Sequence, residues 1–135
     1  MQLRVRDWMI DLLVFIDPDS SVSDALALMR RRYIHSLVVS KSAGSPDYGI
    51  ITSTDVCDKI IAGEQNPAET RVRDIMNSPL ITVQRDSTLK ECAQLMKEHH
   101  IHHLPVSDEK GELVGMISAA DFLVAAESLI HDITA

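Results

Sequence analysis

Two short stretches of the sequence carry residue types that could hold a ligand. Residues 49–55 read GIITSTD and residues 115–121 read GMISAAD, so both run Gly, two apolar residues, a hydroxyl residue, two spacers and Asp. This pattern predicts a buried strand that turns into a helix, with the hydroxyl and Asp side chains placed to cap the helix. The same corner could bind a nucleotide. Free N–H groups at a helix start favour phosphate, and a carboxylate one turn later can accept hydrogen bonds from a sugar diol.

Histidines are concentrated at positions 99, 100, 102 and 103. Imidazole is a common metal ligand, but a strand sends neighbouring side chains to opposite faces, and no cysteine or second cluster completes a tetrahedral set. A metal-responsive protein is therefore the less favoured interpretation, and no metal site is predicted. The favoured one places His99 and His100 at a helix end. His103 would then face the ligand, where a protonated imidazole would donate to phosphate and make binding depend on pH.

Patterns that carry catalytic chemistry do not stand out. The sequence has no nucleophile–base pair at a motif spacing, no P-loop and no Rossmann glycine pattern. The run Arg30-Arg31-Arg32 is best explained as a solvated helix end, and contact with a polyphosphate is the less favoured alternative. The sequence therefore predicts a protein that is not an enzyme and has no catalytic residues.

The composition limits the classes of partner. The 135 residues include 13 Lys and Arg against 20 Asp and Glu, which gives a net charge of -7. Such an acidic chain argues against binding to nucleic acid or to an anionic membrane surface. Charges interrupt the apolar N-terminal residues, which argues against a signal peptide or a membrane span. We expect a cytoplasmic protein whose two cysteines, Cys57 and Cys92, are reduced core residues.

An internal repeat sets the domain organisation. Val5-Arg6-Asp7 returns as Val72-Arg73-Asp74, and Ile34-His35 returns as Ile101-His102, at the same offset of 67 residues. A register kept over most of the chain indicates duplication. The predicted division is a first repeat over 1–62, a linker over 63–71 and a second repeat over 72–135.

Each repeat has the pattern of a β-α-β-β-α unit. An apolar strand at 13–16 or 80–83 precedes a helix that opens on a capping signature, Ser21-x-x-Asp24 or Thr88-x-x-Glu91. Two further strands and a closing helix follow. The helix residues expected to be buried are Val22, Ala25, Leu26, Met29, Val56, Ile60 and Ile61 in the first repeat, and Leu89, Cys92, Ala93, Met96, Phe122, Leu123 and Ala126 in the second.

Two such units are needed for a stable fold. A single repeat of this size buries too little surface to be stable alone. The sequence therefore predicts an α/β fold, α+β in some schemes, in which two repeats pack sheet to sheet about a pseudo-two-fold axis. This packing would place the two Ser/Thr-x-x-Asp corners in equivalent clefts.

The duplicated pattern resembles the CBS domain, named for cystathionine β-synthase, in the tandem form called a Bateman module. The resemblance covers nearly the whole chain and rests on residues 72–76 (VRDIM), Leu95-Met96, residues 101–106 (IHHLPV) and residues 115–121. It implies a sensory or regulatory role without catalysis or a catalytic cofactor. It further implies that AMP, ADP, ATP, NAD or S-adenosylmethionine binds as a regulatory ligand between the repeats. Two pairs would form a homodimer that signals to a partner protein.

The resemblance also implies a nucleotide site in the second repeat. Asp121 would hold the ribose hydroxyls, Ser118 would face the phosphate, and Thr82 would lie by the base or ribose. The full set for this site is Leu80, Thr82, Ile101, His102, His103, Pro105, Met116, Ser118, Ala119 and Asp121.

The first repeat matches the same pattern less well. Its candidate site comprises Phe15, Ile34, His35, Ser36, Ile50, Thr52, Ser53 and Asp55. Phe15 stands at the position of Thr82, and Ser36 at that of His103, so we expect nucleotide in the second site in preference to the first. Phe15 would either stack on a base or fill the cleft. The alternative to nucleotide sensing is a ligand-free dimerisation module, whose clefts side chains such as Phe15 would plug.

Overall fold

The Val-Arg-Asp segment that opens each repeat packs on the body of the other repeat. The structure is a computed structural model that describes residues 2–134, and side chains as far as residue 130. The chain divides into two units, Val14–Leu80 and Met1–Leu13 with Ile81–Ala135. In the first, Arg73 pairs with Asp19; in the second, Arg6 pairs with Asp86. Units of packing and repeats in the sequence are therefore different divisions of this chain.

The unit of residues 14–80 contains one three-stranded sheet. Its strands are β1 (Phe15–Ile16), β2 (Ser36–Val39) and β3 (Gly49–Thr52), in that order across the sheet. β1 runs parallel to β2, and β3 runs antiparallel to it. Its helices are α1 (Val22–Arg32), α2 (Ser53–Asp55), which continues as a π-helix over Val56–Ile61, and α3 (Val72–Ile75).

The other unit repeats this arrangement. A 3-10 turn over Val5–Asp7 stands where α3 stands in the first unit. The sheet has the order β4 (Val83–Gln84), β5 (His103–Ser107) and β6 (Leu113–Ser118), again with one parallel and one antiparallel pair. Its helices are α4 (Leu89–His99) and α5 (Ala119–Thr134). The predicted β-α-β-β-α order is thus confirmed in both units, although β1 and β4 are shorter than the predicted 13–16 and 80–83.

The long helices begin where their capping signatures predict. The Ser21 side chain accepts a hydrogen bond from the Asp24 N–H at 3.1 Å, and the Thr88 side chain accepts one from the Glu91 N–H at 3.1 Å. These bonds satisfy N–H groups that have no partner inside the helix. No helix among the described residues is long and apolar enough to cross a membrane.

The buried faces of the helices confirm most, but not all, of the expected stripe. Val22, Ala25 and Met29 of α1 and Leu89, Cys92 and Met96 of α4 are buried, and Leu26 is partly buried. Ala93 is exposed, contrary to expectation, as are Ile61, Leu123 and Ala126.

The closing helices confirm Val56, Ile60 and Phe122 at the core but not Ile61, Leu123 or Ala126. In α5, Ala125 is buried and Phe122 packs partly on the core, so the stripe follows a spacing of three rather than the predicted 122, 123 and 126. In the π-helix, Val56 and Ile60 face the core, and Ile61 lies one residue further round the helix. Because apolar residues are neighbours in these helices, the sequence did not determine which side of each helix faces the core. Packing of the helix against the core determined it.

The two cysteines lie in different environments. Cys92 is buried, as predicted, and burial raises the pKa of its thiol from 9.0 to about 11. Cys57 is exposed, so the prediction of a core position is wrong; it follows Val56, which faces the core, and so points to a different side of the helix.

We expect iodoacetamide at neutral pH to modify Cys57 in the native protein and to reach Cys92 only after unfolding. Because the folded-state pKa of Cys92 is raised, its contribution to stability is complete below pH 9.0 and is lost as the pH rises towards about 11. Unfolding curves measured across this alkaline range test whether the stability falls as the pH rises. If Cys92→Ala shows the same alkaline loss of stability as the wild type, Cys92 is not its source.

α1 and α4 each end on a residue in the left-handed conformation. Tyr33 has φ 55 and ψ 43, and His100 has φ 55 and ψ 45. Glycine adopts this conformation without a steric penalty, whereas other residues pay one. Tyr33→Gly and His100→Gly are therefore each expected to raise the free energy of unfolding by about 0.5–1 kcal/mol. Urea denaturation checks this, and a loss of stability in both variants would contradict it.

Candidate functional site

The Asp55 corner closes on itself. Asp55 Oδ2 accepts hydrogen bonds from the Thr52 N–H at 2.9 Å and from Thr52 Oγ1 at 3.1 Å. The Thr52 hydroxyl in turn accepts from the Asp55 N–H at 3.4 Å, which completes a capping box. The second carboxylate oxygen, Oδ1, accepts from Asn77 Nδ2 at 2.9 Å and lies 3.4 Å from Lys59 Nζ. Asp55 is 6% exposed, so both of its oxygens are buried and engaged.

The Asp121 corner is more open. Asp121 Oδ2 accepts from the Ser118 N–H at 2.8 Å and from Ser118 Oγ at 3.2 Å, the same pair of contacts as in the first unit. Among the described residues, Oδ1 has no hydrogen-bond or ion-pair partner. Asp121 is also only partly buried. One carboxylate oxygen at this corner is therefore available to a ligand.

Two substitutions between the repeats create this difference. Asn77 and Ile10 occupy equivalent places, because each forms a two-bond bridge to the third strand of its sheet, at Ile50 and Met116 respectively. The side chain of Asn77 reaches Asp55, whereas the isoleucine side chain has no hydrogen-bond donor for Asp121. Lys59, one turn after Asp55, corresponds to Ala125 after Asp121.

The glycine of each corner has a steric role. A Cβ on Gly115 would lie 2.5 Å from the Ile10 carbonyl oxygen, and one on Gly49 would lie 3.0 Å from the Asn77 carbonyl oxygen. Glycine therefore lets the segment before the corner approach the strand closely enough to form the bridge. In the first unit, that approach also brings Asn77 to Asp55.

The strand register places four of the ten residues of the predicted second site on one sheet face. His103 pairs with Ser118 and Pro105 with Met116, so these four side chains share a face. Leu104 and Ile117, which alternate with them, are fully buried in the core on the other face. Thr82 immediately precedes β4 and is exposed.

The first unit presents the equivalent face. Phe15 pairs with Val38, Ser36 with Thr52 and Val38 with Ile50, so these residues share one side of the sheet. Phe15 is 42% exposed and its ring lies 6.2 Å from that of Tyr48. Lys41 Nζ lies 4.8 Å from the centre of the Tyr48 ring.

The remaining predicted residues lie in grooves beside the helices. Ile101, His102 and Ala119 line a groove of about 350 Å³ with Met96 and Phe122. The equivalent groove in the other unit, of about 540 Å³, contains Ile34, His35 and Ser53. Leu80 belongs to the unit of residues 14–80, apart from the rest of the second set. Each predicted set is thus divided between a sheet face and a helix groove.

Sequence patterns alone did not identify four residues that shape these sites. Asn77 and Lys59 bind Asp55, and Tyr48 and Lys41 extend the surface at Phe15. Asn77 could have been identified from the sequence by comparing it with Ile10, the residue at the equivalent position of the other repeat. The described part of the chain contains no group of three or more His, Cys, Asp or Glu side chains placed to hold a metal ion. Of the four clustered histidines, His99 and His100 lie at the end of α4, His102 in the bend that follows, and His103 at the start of β5.

Known proteins share both the sequence pattern and the fold. The family model of the CBS domain matches residues 5–62 and 72–128. An uncharacterized protein of Methanopyrus kandleri is 34% identical over 116 residues, which cover 86% of this chain and 59% of that protein. The mitochondrial CBS domain-containing protein CBSX3 of Arabidopsis thaliana is 36% identical over 117 residues, 84% of this chain and 55% of that protein. The chain thus spans less than two thirds of the length of these relatives.

Solved structures agree with these matches. A hexameric CBS-CP12 protein from bloom-forming cyanobacteria has a TM-score of 0.84 at 31% identity, covering 92% of this chain and 72% of that one. An uncharacterized conserved protein from Pyrococcus horikoshii has a TM-score of 0.81 at 29% identity, covering 93% of both chains. The two matched segments correspond to the two repeats of the sequence and together cover most of the chain. The chain therefore belongs to the CBS domain family and carries a tandem pair of these domains.

Proposed function

We propose that this protein is a regulatory module that binds an adenosine nucleotide at the Asp121 corner and transmits occupancy to a partner protein. The observation that carries the proposal is the Oδ1 of Asp121, which has no partner among the described side chains, set against the fully engaged carboxylate of Asp55. A partly buried carboxylate with a free oxygen is a strong acceptor for the hydroxyl groups of a ribose. The proposed occupancy is therefore unequal, with the second site preferred.

The surroundings of Asp121 suit the rest of a nucleotide. Ser118 and Ala119 stand where β6 turns into the 16-residue helix α5, whose dipole favours phosphate, although the Ala119 N–H itself donates to the His102 carbonyl oxygen at 2.8 Å. His103 lies beside Ser118 in the sheet register and would add a cation when protonated. Met116 supplies partly buried apolar surface on the same face.

Two relatives support a regulatory rather than a catalytic role. The chain is 32% identical to part of a homoserine O-acetyltransferase of Methanocorpusculum labreanum and 33% identical to part of an inosine-5'-monophosphate dehydrogenase of Korarchaeum cryptofilum. In each case, the match covers 87% of this chain but 23% of the enzyme. A segment shared by enzymes with different substrates is better explained as an accessory module than as their catalytic domain.

Calorimetry with AMP, ATP, NAD and S-adenosylmethionine tests the proposal. We expect at least one of these compounds to bind, and Asp121→Asn to weaken its affinity by about tenfold or more, because the substitution removes the charge of the acceptor. Asn keeps an oxygen for the Ser118 contacts. Asp55→Asn is the matched control and should leave that affinity within about twofold. If none of the four compounds binds, or if only Asp55→Asn weakens binding, the proposal is wrong.

A ligand-free dimerisation module is the second candidate function. The observation in its favour is the row of apolar side chains exposed on α5, namely Leu123, Val124, Leu129 and Ile130. An exposed apolar face of this kind is typical of a protein interface. Sedimentation of the wild type and of Leu123→Glu separates the two functions, since nucleotide binding at the Asp121 corner does not require this face.

A further inference from the structure

We propose that the groove at the end of α1 binds an acidic peptide segment of a partner protein through one apolar anchor side chain. The groove has a volume of about 540 Å³ and is lined mainly by apolar side chains, with Leu26, Met29, Ile34 and Val56 among them. Arg30 lines the same groove. This surface would receive the partner to which the proposed regulatory function must report, and the inference rests on that function.

Charge at the rim of the groove identifies the chemistry of the partner. Arg30, Arg31 and Arg32 are exposed, and none of them has a hydrogen-bond or ion-pair partner among the described residues. Each arginine elsewhere in the chain contacts at least one acceptor, namely Arg4, Arg6, Arg71, Arg73 and Arg85. Arg30 at the groove, with Arg31 and Arg32 next to it in the chain, gives this end of α1 a local positive potential in a chain of net charge -7, which favours carboxylates.

The same charge disfavours other occupants. A two-fold dimer whose axis passes through the end of α1 would bring the arginine run of one copy against that of the other, which is repulsive. Nucleic acid would meet the negative charge of the rest of the chain, whose net charge is -7. An acidic peptide with an aliphatic or aromatic side chain satisfies both the rim and the groove.

Tyr33 marks the position of the contact. Its side chain is 92% exposed, its backbone is left-handed, and it lines the groove directly after the arginines. Tyrosine and arginine are the residue types that most often dominate binding energy at interfaces. Glycine or asparagine would adopt the backbone conformation of Tyr33 at a lower cost in free energy. The exposed aromatic ring of Tyr33 is therefore better explained by binding than by stability.

The other unit provides an internal comparison. The equivalent groove is smaller, at about 350 Å³, and the residues that correspond to the arginines are Lys97, Glu98 and His99. A single Lys beside a Glu gives little net charge. Binding is therefore expected at the α1 groove and not at its counterpart on α4.

Selection from a random peptide phage library on the full chain tests the inference. We expect the enriched peptides to combine at least two Asp or Glu residues with a nearby Leu, Ile, Phe or Trp. The peptide most enriched is then labelled with fluorescein and titrated with the protein by anisotropy, without AMP and with it. Its affinity should fall steeply with salt, as expected of a contact steered by exposed charges.

Variants locate the contact. Replacement of all three arginines by Glu should lower the affinity for the peptide by about tenfold or more, and replacement by Gln should lower it by a smaller factor. Lys97→Glu should leave the affinity within about twofold of the wild-type value. Tyr33→Asn should lower the affinity for the peptide by about fivefold or more and should raise the unfolding midpoint. His100→Asn should change the stability of the protein but not its affinity for the peptide. Thermal unfolding of each variant confirms that it is folded.

Several results would overturn the inference: no enrichment of acidic peptides, an affinity that the arginine variants do not change, or tighter binding of a fluorescein-labelled 20-nucleotide poly(dT) than of the peptide. Dissociation of a dimer by Tyr33→Asn, with no peptide bound, would assign the groove to a second copy instead. Because Asp121→Asn leaves the α1 groove intact, it should not change peptide affinity in the absence of AMP. Failure of nucleotide binding and failure of peptide binding are therefore distinguishable.

Discussion

Asp55→Ala is expected to lower the free energy of unfolding by about 3 kcal/mol, and Asp121→Ala by about 1 kcal/mol. The two residues occupy the same place in their repeats, but their carboxylates differ in burial and in the number of hydrogen bonds that they accept. Loss of Asp55 leaves the Thr52 N–H and the Asn77 amide without their acceptor inside a buried corner. Loss of Asp121 removes a helix cap at a corner that solvent reaches. The Lys59 contact adds little to the difference, because that side chain is 40% exposed.

Urea denaturation of both variants measures the difference. Asn77→Ala serves as a matched control, because it removes one of the contacts of Asp55 while leaving the capping box intact; a loss of about 1 kcal/mol is expected. Ile10→Ala, its counterpart in the other unit, should not change the effect of Asp121→Ala, since no side-chain hydrogen bond joins the two. Equal losses for Asp55→Ala and Asp121→Ala would show that the two corners are equivalent and would remove the main support for an unequal pair of sites.

Gly115→Ala is expected to lower the free energy of unfolding by about 2–3 kcal/mol. The added methyl group would lie 2.5 Å from the Ile10 carbonyl oxygen, which is backbone and cannot rotate away. Relief of this contact requires a shift of the segment around Ile10. That shift would stretch two hydrogen bonds, from the Ile10 N–H to the Met116 carbonyl at 2.8 Å and from the Met116 N–H to the Ile10 carbonyl at 2.9 Å.

Two other glycines calibrate this prediction. A Cβ on Gly44 would make ordinary contact with Arg73 Nη1 at 3.4 Å, so Gly44→Ala should change stability by no more than about 0.5 kcal/mol. Gly49→Ala should fall between the two, because its nearest neighbour is the flexible side chain of Met76. Amide exchange of Met116, measured by NMR in Gly115→Ala, reports on the bridge itself. A destabilised variant with the Met116 amide still protected would contradict the mechanism.

Periodicity and repeats predicted the elements of this fold. The 67-residue offset revealed the duplication, and the capping signatures at Ser21 and Thr88 predicted where α1 and α4 begin. Both signals are local, because a cap involves residues three apart and a helical stripe involves residues three or four apart. Burial along α1 followed the same rule, with Val22 and Met29 in the core.

Features that depend on contacts between distant segments were not predicted. The apolar residues of α5 are so continuous that the sequence did not distinguish Ala125 from Leu123 as the buried position, and packing against the sheet decided it. The leading Val-Arg-Asp segments also joined the unit of the other repeat, through Arg6 with Asp86 and Arg73 with Asp19. Pairings over more than 50 residues leave no periodic signal.

The two Ser/Thr-x-x-Asp corners separate what the sequence determined from what the tertiary structure determined. The sequence by itself determined that Asp55 and Asp121 each lie in the first turn of a helix, because capping needs only residues three positions apart. Only the tertiary structure decided that both carboxylate oxygens of Asp55 are bonded, whereas one oxygen of Asp121 has no partner among residues 2–130. The deciding residue, Asn77, is 22 positions from Asp55 and reaches it because a glycine lets its backbone pair with β3.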